Sequence, residues 1–185
     1  MKGIIFNLLE EVVTQSHGES TWDQLLTAAN VDGAYTSLGN YPDEHLFKLV
    51  AAAATALGQA PNEIIRWFGK NAFPLLARKY QEFFRKHQSA RPFLLTLNSI
   101  IHPEVRKLYP GAATPDFDFD ASSPEVLVMG YRSKRKLCAL AEGFIEGAAT
   151  HFGESVRIHH PLCMHRGDAG CHIELTFTKA DTPVS

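Results

Sequence analysis

The chain has 185 residues, 45% of them hydrophobic, which is enough for one domain with a sizeable core. Its formal net charge of −2 argues against broad electrostatic binding to nucleic acid or to an anionic membrane surface. The sequence has no apolar run near the roughly 20 residues of a membrane helix and no signal-peptide pattern at its start. We therefore expect a cytoplasmic protein whose three cysteines are thiols or metal ligands rather than members of a disulfide framework.

The first half of the chain has the apolar spacing of amphipathic helices. Gly18 and Gly58 are expected to end the first and third helices, and Thr21 with Gln24 three residues later predicts a capping box at the start of the second. Pro74 is expected to break or kink the fourth. The predicted helices cover approximately residues 4–17, 21–30, 42–57, 61–76 and 92–109.

In the second half the apolar residues alternate, which is typical of strands. Four short strands predict one antiparallel sheet with one buried face, and a helix at about 134–151 is expected between the second and third strands. The sequence therefore predicts an α+β fold, with a helical lobe at about 1–90, a lobe with a helix and the sheet at about 91–180, and a loose tail at 181–185. The alternating residues are Phe117 and Phe119; Val126, Val128 and Gly130; Val156 and Ile158; and Ile173, Leu175 and Phe177.

Tyr131, Ser133 and Arg135 occupy alternate positions in the sequence. If this run is extended, the phenol, the hydroxyl and the guanidinium group leave the same face of the backbone. Such a set suits a ligand with two carboxylates, because arginine binds a carboxylate through two parallel hydrogen bonds and hydroxyl groups can complete the site.

His102 lies in a predicted helix that is otherwise mostly apolar. An imidazole that is partly buried there favours the neutral form, which can bind a metal. Pro103 removes a backbone donor from the same helix and is expected to bend it. The alternative is an ordinary core histidine with one hydrogen bond.

His102-Pro103, the Leu-Tyr-Pro-Gly stretch at 108–111 and Tyr131-x-Ser133-x-Arg135 together resemble the heme nitric oxide/oxygen binding (H-NOX) family. These proteins are bacterial relatives of the sensor domain of soluble guanylate cyclase. The resemblance runs from Met1 to about Lys179 and implies the H-NOX fold, with a heme b between its two lobes. It also implies that His102 is the single protein ligand of the heme iron and that Tyr131, Ser133 and Arg135 hold the two propionates.

The resemblance also implies several heme contacts. Ile5 and Pro115 match family positions that press on the macrocycle, and the expected pocket walls are Ile5, Leu9, Phe68, Phe73, Phe83 and Phe144, which could equally be core residues. Oxygen-binding members carry a tyrosine where this chain has Leu140. Neither Leu140 nor Leu9 has a hydrogen-bond donor that could stabilise iron-bound O₂. We therefore expect a five-coordinate ferrous heme that binds NO and CO but forms no stable complex with O₂. Leu140 could also be an ordinary core leucine.

The sequence contains no recognisable kinase, cyclase or DNA-binding segment. The resemblance therefore implies a noncatalytic gas sensor, in which NO weakens the bond between iron and His102 and the resulting shift is detected by a separate protein. That partner is expected to be a histidine kinase or a cyclic-di-GMP enzyme.

Cys138, His160, Cys163 and Cys171 can form a closed tetrahedral zinc site of three thiolates and one imidazole, which is a structural rather than a catalytic arrangement. The same four residues match a Cys₃His zinc site in a subset of H-NOX proteins. Unconnected thiols beside surface histidines are the alternative. His159, His165 and His172 are weaker ligand candidates.

Three other functions compete with that of a gas sensor. Residues 143–175, with a Gly-Asp-x-Gly-Cys turn, also resemble bacterial ligand-binding domains of the vinyl-reductase type, but those would lack the pairing of His102 with the Tyr-x-Ser-x-Arg motif. A zinc hydrolase would need an open metal position and a general base, and no His-Glu-x-x-His motif is present. A regulator that senses small molecules or redox state through the Cys/His cluster without heme remains the main alternative.

Overall fold

The computed structural model describes residues 1–180, so the predicted tail at 181–185 lies outside the described residues. Helices and a four-stranded sheet form an α+β fold. Among the described helices, none has the length and apolar character that crossing a membrane requires. The helices are α1 (Gly3–His17), α2 (Glu19–Ala29), α3 (Asp43–Leu57), α4 (Pro61–Lys79), α5 (Gln81–Phe84), α6 (Ala90–Leu95), α7 (His102–Leu108) and α8 (Cys138–His151). The strands are β1 (Asp116–Asp120), β2 (Val126–Arg132), β3 (Glu154–Leu162) and β4 (Cys171–Lys179).

Glycines end two of the N-terminal helices as predicted. α1 ends before Gly18, whose φ is +88°, and α3 ends before Gly58, which has left-handed backbone angles. The predicted capping box is wrong, because α2 begins before Thr21 and the Thr21 hydroxyl donates to the carbonyl of His17 instead. A threonine hydroxyl can satisfy a nearby backbone carbonyl as readily as it caps a helix.

α4 continues through Pro74, so the helix is not broken there, and the alternative of a kink stays a prediction. α4 packs more extensively against α8 than against any other element. Two glycines allow the close approach. A Cβ atom on Gly143 would lie 2.1 Å from the Arg66 carbonyl oxygen, and one on Gly69 would lie 2.6 Å from that of Leu140. Any larger residue at either position would push the two helices apart.

The single helix predicted at 92–109 is interrupted. α6 is followed by a π-helical segment (Leu97–Ile101), and α7 begins at His102. The His102 amide donates to the carbonyl of Leu97, five residues earlier, and Pro103 has no amide to continue the α-helical pattern. A widened turn therefore lies immediately before His102, and such turns occur frequently at functional sites.

The sheet has the order β1-β2-β4-β3, and all its neighbours are antiparallel. The predicted face of β2 is wrong. Leu127, Met129 and Tyr131 are the buried residues, whereas Val126, Val128 and Gly130 are only partly buried. Both faces of this strand carry apolar residues, so the sequence pattern alone could not choose between them.

The helix after β2 also begins later than predicted. Residues 133–136 form a turn in which the Lys136 amide donates to the Ser133 carbonyl at 3.1 Å, and α8 starts at Cys138. Lys136 itself has a φ of +50°, which is incompatible with a continuous helix from 134. This turn brings the end of β2 and the start of α8 to the same part of the molecule.

Candidate functional site

A cavity of about 340 Å³ lies between α1, α4, α7, β2 and α8. Its walls are almost entirely apolar, and they include Ile5, Phe73, Phe83, Leu140 and Phe144 among the residues predicted from sequence. Pro115 also lines it. A flat apolar ligand would find these walls complementary.

Two predicted wall residues, Leu9 and Phe68, do not line the cavity. They are 5% and 1% exposed and are buried in the hydrophobic core around α1. On α1 the cavity is lined by Ile4, Ile5 and Leu8 instead. Leu9 lies one turn after Ile5 on α1, beyond the part of that helix that lines the cavity.

His102 brings one imidazole into this cavity. Burial, reinforced by the positive charge of Arg106, lowers the pKa of His102 to about 4. The ring is therefore neutral near pH 7 and has a lone pair available for a metal. It also stacks on Phe117 of β1, with 5.3 Å between the ring centroids, which holds the ring in one orientation.

Tyr131, Ser133 and Arg135 all line the same cavity. The extended geometry assumed from sequence holds only as far as Arg132, where β2 ends, and the turn that follows brings the other two side chains to the cavity. The Ser133 hydroxyl accepts a hydrogen bond from the Arg135 amide at 3.3 Å. Burial raises the pKa of Tyr131 to about 12, so its hydroxyl stays protonated and can donate.

Sequence reasoning missed Asp43, which fixes the Arg135 guanidinium. The Arg135 Nε lies 2.7 Å from Asp43 Oδ2, and Nη1 donates to the carbonyl of Ala113 at 2.9 Å. Asp43 also accepts from the amino group of Met1 at 2.6 Å. Burial alone would raise the pKa of Asp43, but these two positive partners lower it below its usual range. No local sequence signal links positions 1, 43 and 135.

A second missed pair is Tyr80 and Tyr109, whose side chains line the cavity and whose hydroxyls are hydrogen bonded to each other. Tyr80 is at the end of α4 and Tyr109 follows α7. The bond therefore ties the helix that carries His102 to the helical lobe. Tyr109 is the tyrosine of the Leu-Tyr-Pro-Gly stretch, which contributes to the family resemblance but had no predicted structural role.

Cys138, His160, Cys163 and Cys171 form a compact cluster on the other side of α8. One potential ligand atom from each lies within 4.8 Å of all the others. The Cys163 sulfur is 3.8 Å from that of Cys138 and 4.0 Å from that of Cys171. Tetrahedral zinc with Zn–S bonds of about 2.3 Å separates two sulfurs by about 3.8 Å, so the spacing fits such an ion.

The histidine of the cluster also fits a metal. His160 Nε2 is buried and has no hydrogen-bond partner among the described residues. Burial raises the pKa of the Cys138 and Cys171 thiols, and a bound cation would reverse that preference. The three weaker histidine candidates lie outside the cluster: His159 and His172 face Glu174, and His165 contacts the carbonyl of Lys136.

A family model described as Haem-NO-binding matches residues 2–160. The chain is also 23% identical over 138 residues to "Soluble guanylate cyclase gcy-31" of Caenorhabditis elegans, covering 74% of this chain. It spans only about a fifth of that relative's length, since the match covers 20% of it.

Among solved structures, an H-NOX protein from S. oneidensis in the Fe(II)NO ligation state is 33% identical, with a TM-score of 0.90 and coverage of 97% of this chain and 100% of that one. The SO2144 H-NOX domain from Shewanella oneidensis in the Fe(II)CO ligation state is 32% identical, with a TM-score of 0.87 and coverage of 96% of this chain and 99% of that one. An Fe(II) unliganded H-NOX protein from K. algicida is 23% identical with a TM-score of 0.86, covering 98% and 99%, and supports the fold alone.

Proposed function

Since the chain belongs to the Haem-NO-binding family, we propose that it is a noncatalytic gas sensor that holds heme b in the cavity and binds NO and CO. The observation that carries the proposal is the single neutral imidazole of His102 in an otherwise apolar cavity. When bound, the heme would supply a ferrous iron with an open position for a diatomic gas. A cytoplasmic location, predicted from the sequence, is part of the same proposal.

The residues present suit a heme on three counts. His102 would be the iron ligand, Ile5, Leu140, Phe144 and Pro115 would contact the macrocycle, and Tyr131, Ser133 and Arg135 would hold the propionates. A heme is an apolar disc with a dianionic edge, and the cavity combines apolar walls with donors that lie close together in the chain. Absorption spectra of the ferrous protein, alone and with NO, CO and air, test the proposal. An intense Soret band is expected, and a colourless protein that cannot be reconstituted with heme would refute it.

We propose that α7 transmits the signal. A π-helical segment precedes His102, and conversion between π- and α-helical turns offers two discrete arrangements of the following helix. When His102 is released, α7 would be free to shift, and the bond between Tyr109 and Tyr80 would pass that shift to α4. A ligand biases such a switch only through its different affinity for the two states. The receiving partner is proposed to be a separate histidine kinase or cyclic-di-GMP enzyme, as the resemblance to the H-NOX family implies.

Leu140→Tyr is expected to give the protein measurable O₂ affinity, whereas the wild type should form no stable oxygen complex in air. Leu140 lines the cavity and offers no donor, and a hydrogen bond to a strongly polarised ligand contributes about 1.5–3 kcal/mol, or roughly tenfold or more in affinity. Absorption spectra of the reduced variants during O₂ titration measure the effect. Leu140→Phe is the matched control, since it adds the ring without the hydroxyl. A long-lived oxygen complex of the wild type would contradict this assignment.

Arg135→Ala is expected to accelerate heme loss by about tenfold. A charge-assisted hydrogen bond to a propionate contributes about 1.5–3 kcal/mol. The lower end of that range applies here, because the Arg135 side chain is 23% exposed and solvent weakens the interaction. Transfer of heme to excess apomyoglobin measures the rate. Arg132→Ala is the control, since Arg132 is 57% exposed and pairs with Asp118 away from the cavity. Equal rates for the two variants would argue against Arg135 as a propionate ligand.

We also propose that the Cys/His cluster holds a structural zinc ion, with Cys138, His160, Cys163 and Cys171 as ligands. Four protein ligands leave no open position, which distinguishes this site from that of a hydrolase. All three cysteines are buried, which favours the structural role over redox sensing, since oxidation needs accessible thiolates.

A further inference from the structure

Glu142 is a charged residue that is only 8% exposed, and both of its side-chain oxygens have partners. Oε1 lies 2.5 Å from His160 Nδ1, and Oε2 accepts a hydrogen bond from Arg66 Nη1 at 2.9 Å. Arg66 is held in turn by Glu146, whose Oε1 is 3.1 Å from Nε and 2.5 Å from Nη2. Glu142 therefore connects an arginine on α4 with a histidine on β3.

The contact with Glu142 determines how His160 presents its ring. A carboxylate accepts, so Nδ1 carries the proton and donates to Oε1. The lone pair of the neutral ring is then on Nε2, the buried nitrogen that has no hydrogen-bond partner among the described residues. A metal ligand whose second nitrogen donates to a carboxylate is held in both the required tautomer and the required orientation.

We propose that Glu142 is a positioning residue for His160 as a metal ligand, and that Arg66 fixes Glu142 for this task. This inference rests on the proposed zinc site and deepens it. It assigns part of the metal site to α4, a helix that contributes none of the four ligands. The metal site is then connected to the helical lobe as well as to the sheet.

The packing of α4 on α8 explains why the arginine reaches this position. Gly143, next to Glu142, lies directly against the backbone of Arg66, where a Cβ atom would be 2.1 Å from the carbonyl oxygen. The two helix backbones are thus close enough for Arg66 to reach Glu142 and Glu146, which lie one turn apart on α8. A buried carboxylate is costly unless a positively charged group lies beside it. The Arg66 guanidinium group lies beside Glu142, whose other oxygen accepts the hydrogen bond from His160.

Zinc affinity is the first test, measured on the heme-loaded protein by competition with a chromophoric chelator. Glu142→Ala is expected to weaken zinc binding by about 10–100-fold, the usual effect of losing an outer partner of a metal-bound histidine. Glu142→Gln should lose much less, because its amide oxygen still accepts from Nδ1. Glu146→Ala is the matched control, since Glu146 also binds Arg66 but does not contact His160.

Replacing zinc with cobalt(II) gives an absorption spectrum that depends on the metal ligands and does not change when the protein is merely less stable. In Glu142→Ala the visible ligand-field bands should change toward those of a site lacking its nitrogen ligand, while the thiolate-to-cobalt charge-transfer band persists. The wild type and Glu146→Ala should give the same cobalt spectrum as each other. If Glu142→Ala does not fold, Arg66→Met tests the same connection, because it removes the guanidinium group that holds Glu142, and it is expected to weaken zinc binding severalfold.

Three results would overturn the inference. Unchanged zinc affinity and an unchanged cobalt spectrum in Glu142→Ala, with zinc lost from Cys163→Ser, would remove the role of Glu142 and leave the zinc site standing. Equal losses in Glu142→Ala and Glu146→Ala would show a general effect on packing. A wild-type protein that binds neither zinc nor cobalt would overturn the zinc site and the positioning role together.

Discussion

His102→Gly should lose the normal spectrum of the ferrous protein, with a shifted and weaker Soret band and reduced heme content. The side chain is the only imidazole among the described residues that line the cavity, so no neighbour can take its place. The fold should persist, since a glycine at a helix position costs about 1 kcal/mol relative to alanine, against a typical total stability of about 5–15 kcal/mol. Absorption spectroscopy and circular dichroism measure the two effects.

Free imidazole added to His102→Gly provides the sharper control. It should restore much of the wild-type ferrous spectrum, because the substitution removes the ring and leaves space where the ring was. His17→Gly removes an exposed histidine far from the cavity lining and should change neither spectrum nor heme content. An unchanged ferrous spectrum in His102→Gly would show that another group is the iron ligand.

The fold class and the order of helices and strands could be predicted from sequence because they depend on short-range patterns. Gly18 and Gly58 each end a helix through a backbone conformation that glycine adopts easily. The alternation of Phe117 and Phe119 with aspartates likewise predicts β1 with its exposed and partly buried faces. These signals need no knowledge of the rest of the chain.

Features that depend on contacts between distant residues could not be predicted in this way. α4 passes through Pro74 because α8 packs against it, and that contact joins residues far apart in sequence. The face of β2 was assigned wrongly because Leu127 and Val128 are equally apolar, and only the packing of the sheet distinguishes them. A π-helical turn lies immediately before His102 and Pro103, where the sequence indicated only a bend.

The candidate sites show the same division. The Tyr131, Ser133 and Arg135 pattern could be read directly, but Asp43, which holds Arg135, could not, because the two residues are 92 positions apart. Glu142 gives no sequence signal of its own either. Its contact with His160 depends on β3 and α8 lying side by side in the folded molecule.

Cys163→Ser should reduce the zinc content of the purified protein from about one ion per chain to nearly none. The Cys163 sulfur is central to the cluster, because it lies 3.8 Å from the sulfur of Cys138 and 4.0 Å from that of Cys171. Its loss therefore removes the ligand that neighbours both of the other thiols. Zinc that is bound only by the folded protein contributes about 4 kcal/mol at a thousandfold excess over its Kd. For a domain of this size that corresponds to a fall of roughly 10 °C in Tm when zinc is removed.

Substitution of two adjacent histidines on β3 distinguishes the loss of a zinc ligand from a general effect of mutation on that strand. His160 lies in the metal cluster, whereas His159 is exposed and contacts Glu174 at 2.9 Å. His160→Ala should therefore bind zinc much more weakly than the wild type, and His159→Ala should bind it as tightly. Metal analysis and thermal unfolding with and without a chelator measure both consequences. Equal zinc content in the wild type and Cys163→Ser would eliminate the site, because a closed tetrahedral centre does not keep full occupancy after losing one of its four ligands.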